Sequence, residues 1–292
     1  LGIIKGIYRA NRAQCKAAQR RRDAKQKCLK VAMNPAFKKY VTEKLKDDQS
    51  PEGIAGRLKH IDTHIPYANK HAIYAFVRSS HGGPLEHHLY RKRVKYKSGR
   101  KRGTKSPSDQ TKVSIEKRSK KANNRSEFGH FEGDFIESGR DGTGSLLVLV
   151  ERKTRHPFII YTADKTTLTI NDLIAGVLKD VPVKSITLDN DISFQKHEEL
   201  SDMIDAVVYF THPYTSSDKG TVENRNGRVR EFVPKGCDIS NIPKDIRLKA
   251  QTHLRTRYMK CLGFRTPEEC WEIELQKVRA KIKKTTKVEV TI

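Results

Sequence analysis

The sequence predicts a mixed α/β sheet covered by helices, preceded by a small all-α region. Three observations lead there. From Glu127 onward, short apolar runs read as three successive strands and then as alternating helices and strands. Before about residue 80 only helical spacing occurs, with Asn34-Pro35, Ser50-Pro51 and Asn69 as helix starts. Between the two lies a stretch too basic to bury a core. From Lys97 to Arg125 it holds eleven Lys or Arg against two acids, a local net of +9.

In order, residues 1–48 form a basic helical segment, in which Phe37, Tyr40, Val41 and Leu45 recur at helical spacing behind the Asn34 cap. Residues 49–80 hold two short helices. Ile54 and Leu58 share the inner face of the first, and Ile73, Phe76 and Val77 that of the second. A helix-turn-helix fits this spacing, with Lys70, His71, Tyr74 and Arg78 on the face that would enter a major groove. An ordinary helical hairpin with solvated charges fits it equally. Residues 81–127 read as a basic linker, either a solvated spacer or an arm tracking phosphates through Arg100, Lys101 and Arg102; GRKRGTK also allows a weak nuclear-localisation reading.

Residues 128–275 carry the sheet. HFEGDFIE alternates, with His130, Glu132 and Asp134 on one side and Phe131 and Phe135 on the other, which predicts a half-buried strand. SLLVLVERK suits a sheet centre, and FIIYTA, SITLD and AVVYF add further strands. Helices are expected at 167–179, around 197–204, from about 218 to 232, at 246–262 and after Thr266-Pro267, where the single Trp271 packs. The tail, residues 276–292, is basic and reads as disordered.

With 59 Lys+Arg against 34 Asp+Glu, the net charge of +25 points to a polyanionic partner. Five cysteines without CxxC spacing, no zinc pattern among eleven histidines, no secretory signal and no membrane-length apolar run predict a reducing, cytoplasmic setting without a membrane partner. The chain also lacks an initiator Met.

Three carboxylates stand out. Asp134 sits mid-strand among apolar neighbours, where an unpaired charge is costly. Asp189 ends a short strand, and Glu223 opens a helix rich in amides and arginines. Converging, they would suit two magnesium ions, which take oxygen ligands and leave positions for substrate phosphate. Glu223, Asn226, Gly227 and Arg230 share one helix face, so Asn226 and Arg230 are candidate DNA contacts. A solvated basic helix with an incidental Glu accounts for the same residues.

HFEGDFIE, TLDN and GTVENRNGRVREFVPKG, with CLGFRTPEE close behind, resemble the DDE transposases of the insertion-sequence family numbered thirty. SPEGIAGRL and HAIYAFV resemble that family's internal helix-turn-helix, and the likeness covers roughly residues 9–272. It implies a ribonuclease H-like, retroviral integrase-type catalytic domain, with Asp134, Asp189 and Glu223 as catalytic metal ligands and 33 residues between the last two. It implies magnesium as cofactor, two ions that manganese can replace. Its partners would be double-stranded DNA, as terminal inverted repeats and target, and a second copy of the chain in a homodimer or larger assembly, nucleoid-associated in a prokaryote. The implied activity is hydrolysis of a phosphodiester followed by attack of the freed 3′ hydroxyl on target DNA. The chain departs from the pattern at Asp191, where Gly is usual, at Ser193, at Ser217-Asp218-Lys219 in place of Trp-Gln-Arg, and at Val222 in place of Asn. Two rivals are a catalytically inactive transposase-derived DNA-binding protein and a nuclease acting on RNA–DNA hybrids.

Overall fold

The computed structural model describes residues 10–27, 30–89, 111–212 and 216–289. The chain divides into two compact units, residues 1–95 and 96–292.

The first unit is helical: α1 (Ala10–Lys27), α2 (Lys30–Met33), α3 (Pro35–Lys46), α4 (Pro51–His60) and α5 (Lys70–Val77). The expected caps form. Asn34 Oδ1, Ser50 Oγ and Asn69 Oδ1 accept from the Phe37, Gly53 and Ala72 N–H groups at 3.0, 3.0 and 2.9 Å, each satisfying one orphan donor of a first turn. Val31, Phe37, Val41, Leu45, Ile54, Leu58, Ile73, Phe76 and Val77 make one core. The connector between α4 and α5 is pinned at Asp62, which accepts from Tyr40 OH at 2.7 Å and Arg57 Nε at 3.3 Å. Packing of the inner face leaves Lys70, His71 and Arg78 exposed and Tyr74 half-buried.

The second unit is built on six strands: β1 (Val113–Ser114), β2 (His130–Glu137), β3 (Ser145–Glu151), β4 (Pro157–Thr162), β5 (Ser185–Leu188) and β6 (Val207–Phe210). Their order is β1-β6-β5-β2-β3-β4. β2, β3 and β4 pair antiparallel, whereas β5 lies parallel to β2, and β6 to β5. This mixed sheet, covered by helices on both faces, is the ribonuclease H-like arrangement the resemblance implies. Its helices are α6 (Lys120–Asn123), α7 (Thr167–Leu178), α8 (His197–Ile204), α9 (Gly220–Val229), α10 (Lys244–Thr256) and α11 (Pro267–Glu289).

Side-chain alternation splits the core in two. Phe131, Leu147 and Leu149 face α7, α8 and Trp271 of α11. Ile136, Leu146, Val148 and Val150 face Val222 and Val229 of α9 and Leu254 of α10. Trp271 meets Phe128 and Phe131 edge-on and stacks on His156 with centroids 4.5 Å apart. Thr266 and Glu269 close a capping box at the start of α11, with N–H···O distances of 2.8 and 3.1 Å.

Three expectations change. Residues 111–127, read as linker, belong to the sheet unit: Val113–Ser114 pairs with Tyr209–Phe210, and Ile115 and Ala122 are buried. Net charge hid one apolar anchor in each short turn. The tail, read as disordered, continues as helix α11 to Glu289. β2, expected half-buried, is covered on both faces because α9 lies over its polar side, and Glu132 is 0% exposed. Arg100, Lys101 and Arg102 lie outside the described residues.

Candidate active site

Glu132, Asp134 and Ile136 alternate on the β2 face that α9 covers. Gly133 between them faces the opposite core, where a Cβ would stand 2.6 Å from Leu188 Cδ2. β2 and β5 run parallel with Glu132 opposite Thr187, so Asp134 and the residue after β5, Asp189, come level. Strand pairing alone therefore brings together two of the three expected carboxylates.

What joins them is an ammonium. Lys219, immediately before α9, is buried and places Nζ 2.6 Å from Asp134 Oδ1 and 3.0 Å from Asp189 Oδ2. Burial opposes its charge, yet Asp189 and Asp134 together outweigh that and hold its pKa above the ordinary lysine value. For Asp134 burial is the larger effect and raises the pKa, while Lys219 pulls it back. Glu223, in the first turn of α9, is exposed; partial burial of its carboxyl and then the charge of Asp134 raise its pKa. Among the described residues no group of three or more His, Cys, Asp or Glu is arranged to hold a metal.

Asn226 and Arg230, the candidate DNA contacts on α9, are both hydrogen-bonded to β2. Asn226 Nδ2 donates to Asp134 Oδ2 at 2.6 Å, and Arg230 Nη2 to the Glu137 carbonyl at 3.0 Å. Along α9, residues 222, 226 and 230 thus follow the course of β2.

The departures acquire physical meaning. Val222, where Asn is usual, is fully buried in the core under α9. Asp191 caps the next turn through Ser193 N–H at 2.8 Å and pairs with Lys165 Nζ at 3.2 Å, so its charge is compensated locally. Burial works against that carboxylate, but these contacts hold its pKa below the ordinary value. Lys219, where Arg is usual, is the bridging cation.

Two residues outside the expected set organise the site. Glu132 Oε2 accepts from the Thr221 and Val222 backbone N–H groups, both at 3.1 Å, and Oε1 accepts from Thr221 Oγ1 at 3.3 Å. Arg152, on the turn after β3, pairs with Oε1. Glu132 is thereby a buried side-chain cap that fixes α9, and with it Glu223, against β2. The signal in the sequence was a second acid two residues before Asp134 on the same strand face. Lys219 left no such signal beyond its position just ahead of the helix.

The chain is 31% identical over 271 residues to the transposase for insertion sequence element IS4351 of Bacteroides fragilis, covering 90% of this chain and 80% of that one. It is 28% identical over 259 residues to the transposase InsI for insertion sequence element IS30A of Escherichia coli K12, covering 84% and 66%. The chain belongs to the IS30 family of transposases. Another relative, the probable transposase for insertion-like sequence element IS1161 of Streptococcus salivarius, is 34% identical over 222 residues, and this family member spans 62% of its length. Among solved structures, the catalytic core domain of BIV integrase matches 53% of this chain and 98% of its own, at 19% identity and a TM-score of 0.40. The HTLV-2 integrase catalytic core domain, solved in complex with magnesium, matches 48% and 93%, at 20% identity and a TM-score of 0.39. No family model matches the chain.

Proposed function

We propose that this family member is a metal-dependent transposase that binds the terminal inverted repeats of its element, cleaves DNA there and transfers the strand to target DNA. The observation that carries the reading is convergence of Asp134 and Asp189 on a single cation position beside the first turn of Glu223's helix. The residues fit a divalent ion: the donors are all oxygen, and Asp189 Oδ1 and Asn226 Oδ1 are buried without a hydrogen-bond partner. Asp134, Asp189 and Glu223 would hold magnesium, two ions by the family's pattern, with manganese able to replace it. Bound there, magnesium would supply Lewis-acid activation of the attacking oxygen and charge neutralisation at the leaving oxygen.

The chain's own groups prepare that site. Asn226 N–H bonding orients Asp134 through Oδ2 and leaves Oδ1 toward Lys219. Lys219 holds the two aspartates close in spite of their repulsion. Glu132 fixes the helix that carries Glu223. In the helical unit, α4 and α5 would act as a helix-turn-helix, with Lys70, His71, Tyr74 and Arg78 toward the major groove; the Arg100-Lys101-Arg102 run, which follows that unit in sequence, would track phosphates. Lys70 Nζ stands 3.7 Å from Glu52, a weak exposed contact that DNA would readily replace. The domain limits expected at 48, 80, 127 and 275 cut through packed elements, so truncations are best placed at the division between the two units, residues 95 and 96. Two element ends must meet, so a homodimer or larger assembly in the cytoplasm, on nucleoid DNA, is part of the reading. Among the described residues no helix is long and apolar enough to cross a membrane.

The test is cleavage of a labelled terminal-repeat duplex in magnesium. Wild type should release a 3′ hydroxyl end and Asp189→Asn should not; equal cleavage by both would remove the assignment. Lys219 between the aspartates favours a second reading, an inactive transposase-derived DNA-binding protein. Manganese titration followed by electron paramagnetic resonance separates the two: the enzyme binds the ion and Glu223→Gln binds it more weakly, whereas the inactive protein binds none.

A further inference from the structure

Arg118, Arg125, Arg152, Arg155 and Arg225 gather around the first turn of α9, where the acids are Glu132 and Glu223, with Asp218 near Arg118. Thr221 Oγ1 accepts from Arg155 Nη1 at 2.9 Å and from Arg125 Nη2 at 3.3 Å, while donating to Glu132. Arg152 pairs with the same Glu132 carboxylate, Arg225 Nη2 donates to the Arg155 carbonyl at 3.1 Å, and Arg118 Nη1 reaches Thr187 Oγ1 at 3.3 Å on neighbouring β5. The nearby carboxylate of Glu151 is committed to the turn after β3, accepting from Gly129 N–H, Thr154 N–H and Thr154 Oγ1. The guanidiniums repel one another. The pKa of Arg152 falls to about 9, first through burial and then through Arg118, Arg125 and Arg155. That of Arg155 is lowered by burial and then by Arg125.

A second observation is independent of charge. Arg125 and Arg155 both adopt left-handed backbone, with φ of +59° and +63°. Each costs roughly 1–2 kcal/mol for a residue with a Cβ, and glycine or asparagine would relieve it. Strain of this kind persists where the surroundings enforce it and clusters at functional sites. Here both strained residues aim their side chains at one hydroxyl.

We propose that Arg125 and Arg155, with Arg118 and the Thr221 hydroxyl beside them, form a pocket for a backbone phosphate of duplex DNA, next to the phosphate processed at Asp134 and Asp189. Each guanidinium has five N–H donors and gives one to Thr221, Arg155 is also bonded to the Cys261 side chain, and Arg125 is exposed to solvent. Glu132, which anchors the pocket, and Asp134 are two residues apart on one strand face, roughly 7 Å. The pocket rests on the DNA-processing reading for the identity of its ligand.

The test uses the full chain in EDTA, with fluorescence anisotropy of a labelled duplex titrated against salt. Arg125→Gln, a change at an exposed side chain, and Arg125→Gln/Arg155→Gln should bind about tenfold more weakly or worse. The log–log salt slope should become shallower by about 0.9 for the phosphate lost. Manganese affinity, read by electron paramagnetic resonance, should stay unchanged. If wild type binds duplex and both variants keep its affinity and slope, the pocket is wrong and the DNA reading stands. If wild type binds no duplex, both fall. Phenylglyoxal modification mapped by mass spectrometry adds a separate arm: duplex should protect Arg125 and Arg155. Equal protection by inorganic phosphate alone would assign the pocket to the free ion and overturn the backbone assignment.

Discussion

Changing Glu132 to Gln should destabilise the sheet unit more than any exposed substitution in it. Glu132 is 0% exposed and Arg152 3%, so neither charge can be rescued by water. Gln keeps the shape and an acceptor for α9 but leaves Arg152 buried against a neutral amide. Breaking one side of such a pair costs about 3–5 kcal/mol. Arg152 retains its bonds to the Ala122 and Asn123 carbonyls, at 3.1 and 3.3 Å, which places the expectation toward the lower end. Removing both charges in Glu132→Met/Arg152→Met eliminates the uncompensated cation. Two first-turn N–H groups and the Thr221 O–H then lose their acceptor, at about 1–3 kcal/mol for a buried polar group, while the Thr221 oxygen keeps its bonds from Arg155 and Arg125. The double variant should therefore lose less than the sum of Glu132→Met and Arg152→Met. Urea unfolding followed by Trp271 fluorescence reads all four proteins of this cycle. A loss below about 1 kcal/mol for Glu132→Gln, against the range expected for a broken buried pair, or strict additivity in the cycle, would refute the account of Glu132 as the charged anchor of α9.

Lys219→Met removes the cation between Asp134 and Asp189, so its melting temperature in EDTA should fall and manganese should raise it more than in wild type; equal metal-induced shifts would count against Lys219 as the resident counter-charge. His156 is held neutral, its pKa lowered to about 3 by burial and then by Arg255 and Arg225, despite Glu268 at 3.0 Å. The unfolded chain binds this proton first, so stability should fall as pH drops from about 6.5 toward 3, by about 1.4 kcal/mol per unit. His156→Phe should flatten that part of the unfolding profile, and an unchanged slope would exclude His156 as its source. Gly133→Ala should cost about 1–3 kcal/mol by overpacking against Leu188, read as a lower urea midpoint.

Much of the scaffold was legible because local rules and tertiary packing agree. Asn34, Ser50, Asn69 and Thr266 each cap the helix their spacing announced, and the apolar runs at 145–151 and 185–188 are the interior strands on either side of β2. Period-two alternation also put Asp134 on a shared face with Glu132. It could not say that a helix ninety residues later would seal that face, turning an expected solvent-side acid into a buried cap. Lys219 was hidden for the same reason, since its partners are brought in by strand pairing. Arg118 and Arg125 were obscured by composition: inside a run averaging to bare charge, they bind Thr187 and Thr221. For Asn226 the helical wheel found the right face but could not show the bond to Asp134 that the packing of α9 on β2 creates.

The parity of β2 has a consequence for how such a protein can change. The anchor Glu132 and the site carboxylate Asp134 lie on even positions of one eight-residue strand, while Phe131 and Phe135 hold the odd ones in the opposite core. One residue inserted between Gly129 and Phe131, with the start of the strand held in place, would turn both carboxylates toward Trp271 and both phenyl rings toward α9, since a slip of one exchanges the faces of a strand. Point substitutions can therefore silence this site, but drift in length within the strand cannot relocate it by degrees. Copies that accumulate insertions should carry them in the turns flanking 130–137, with the strand itself either intact or lost entirely.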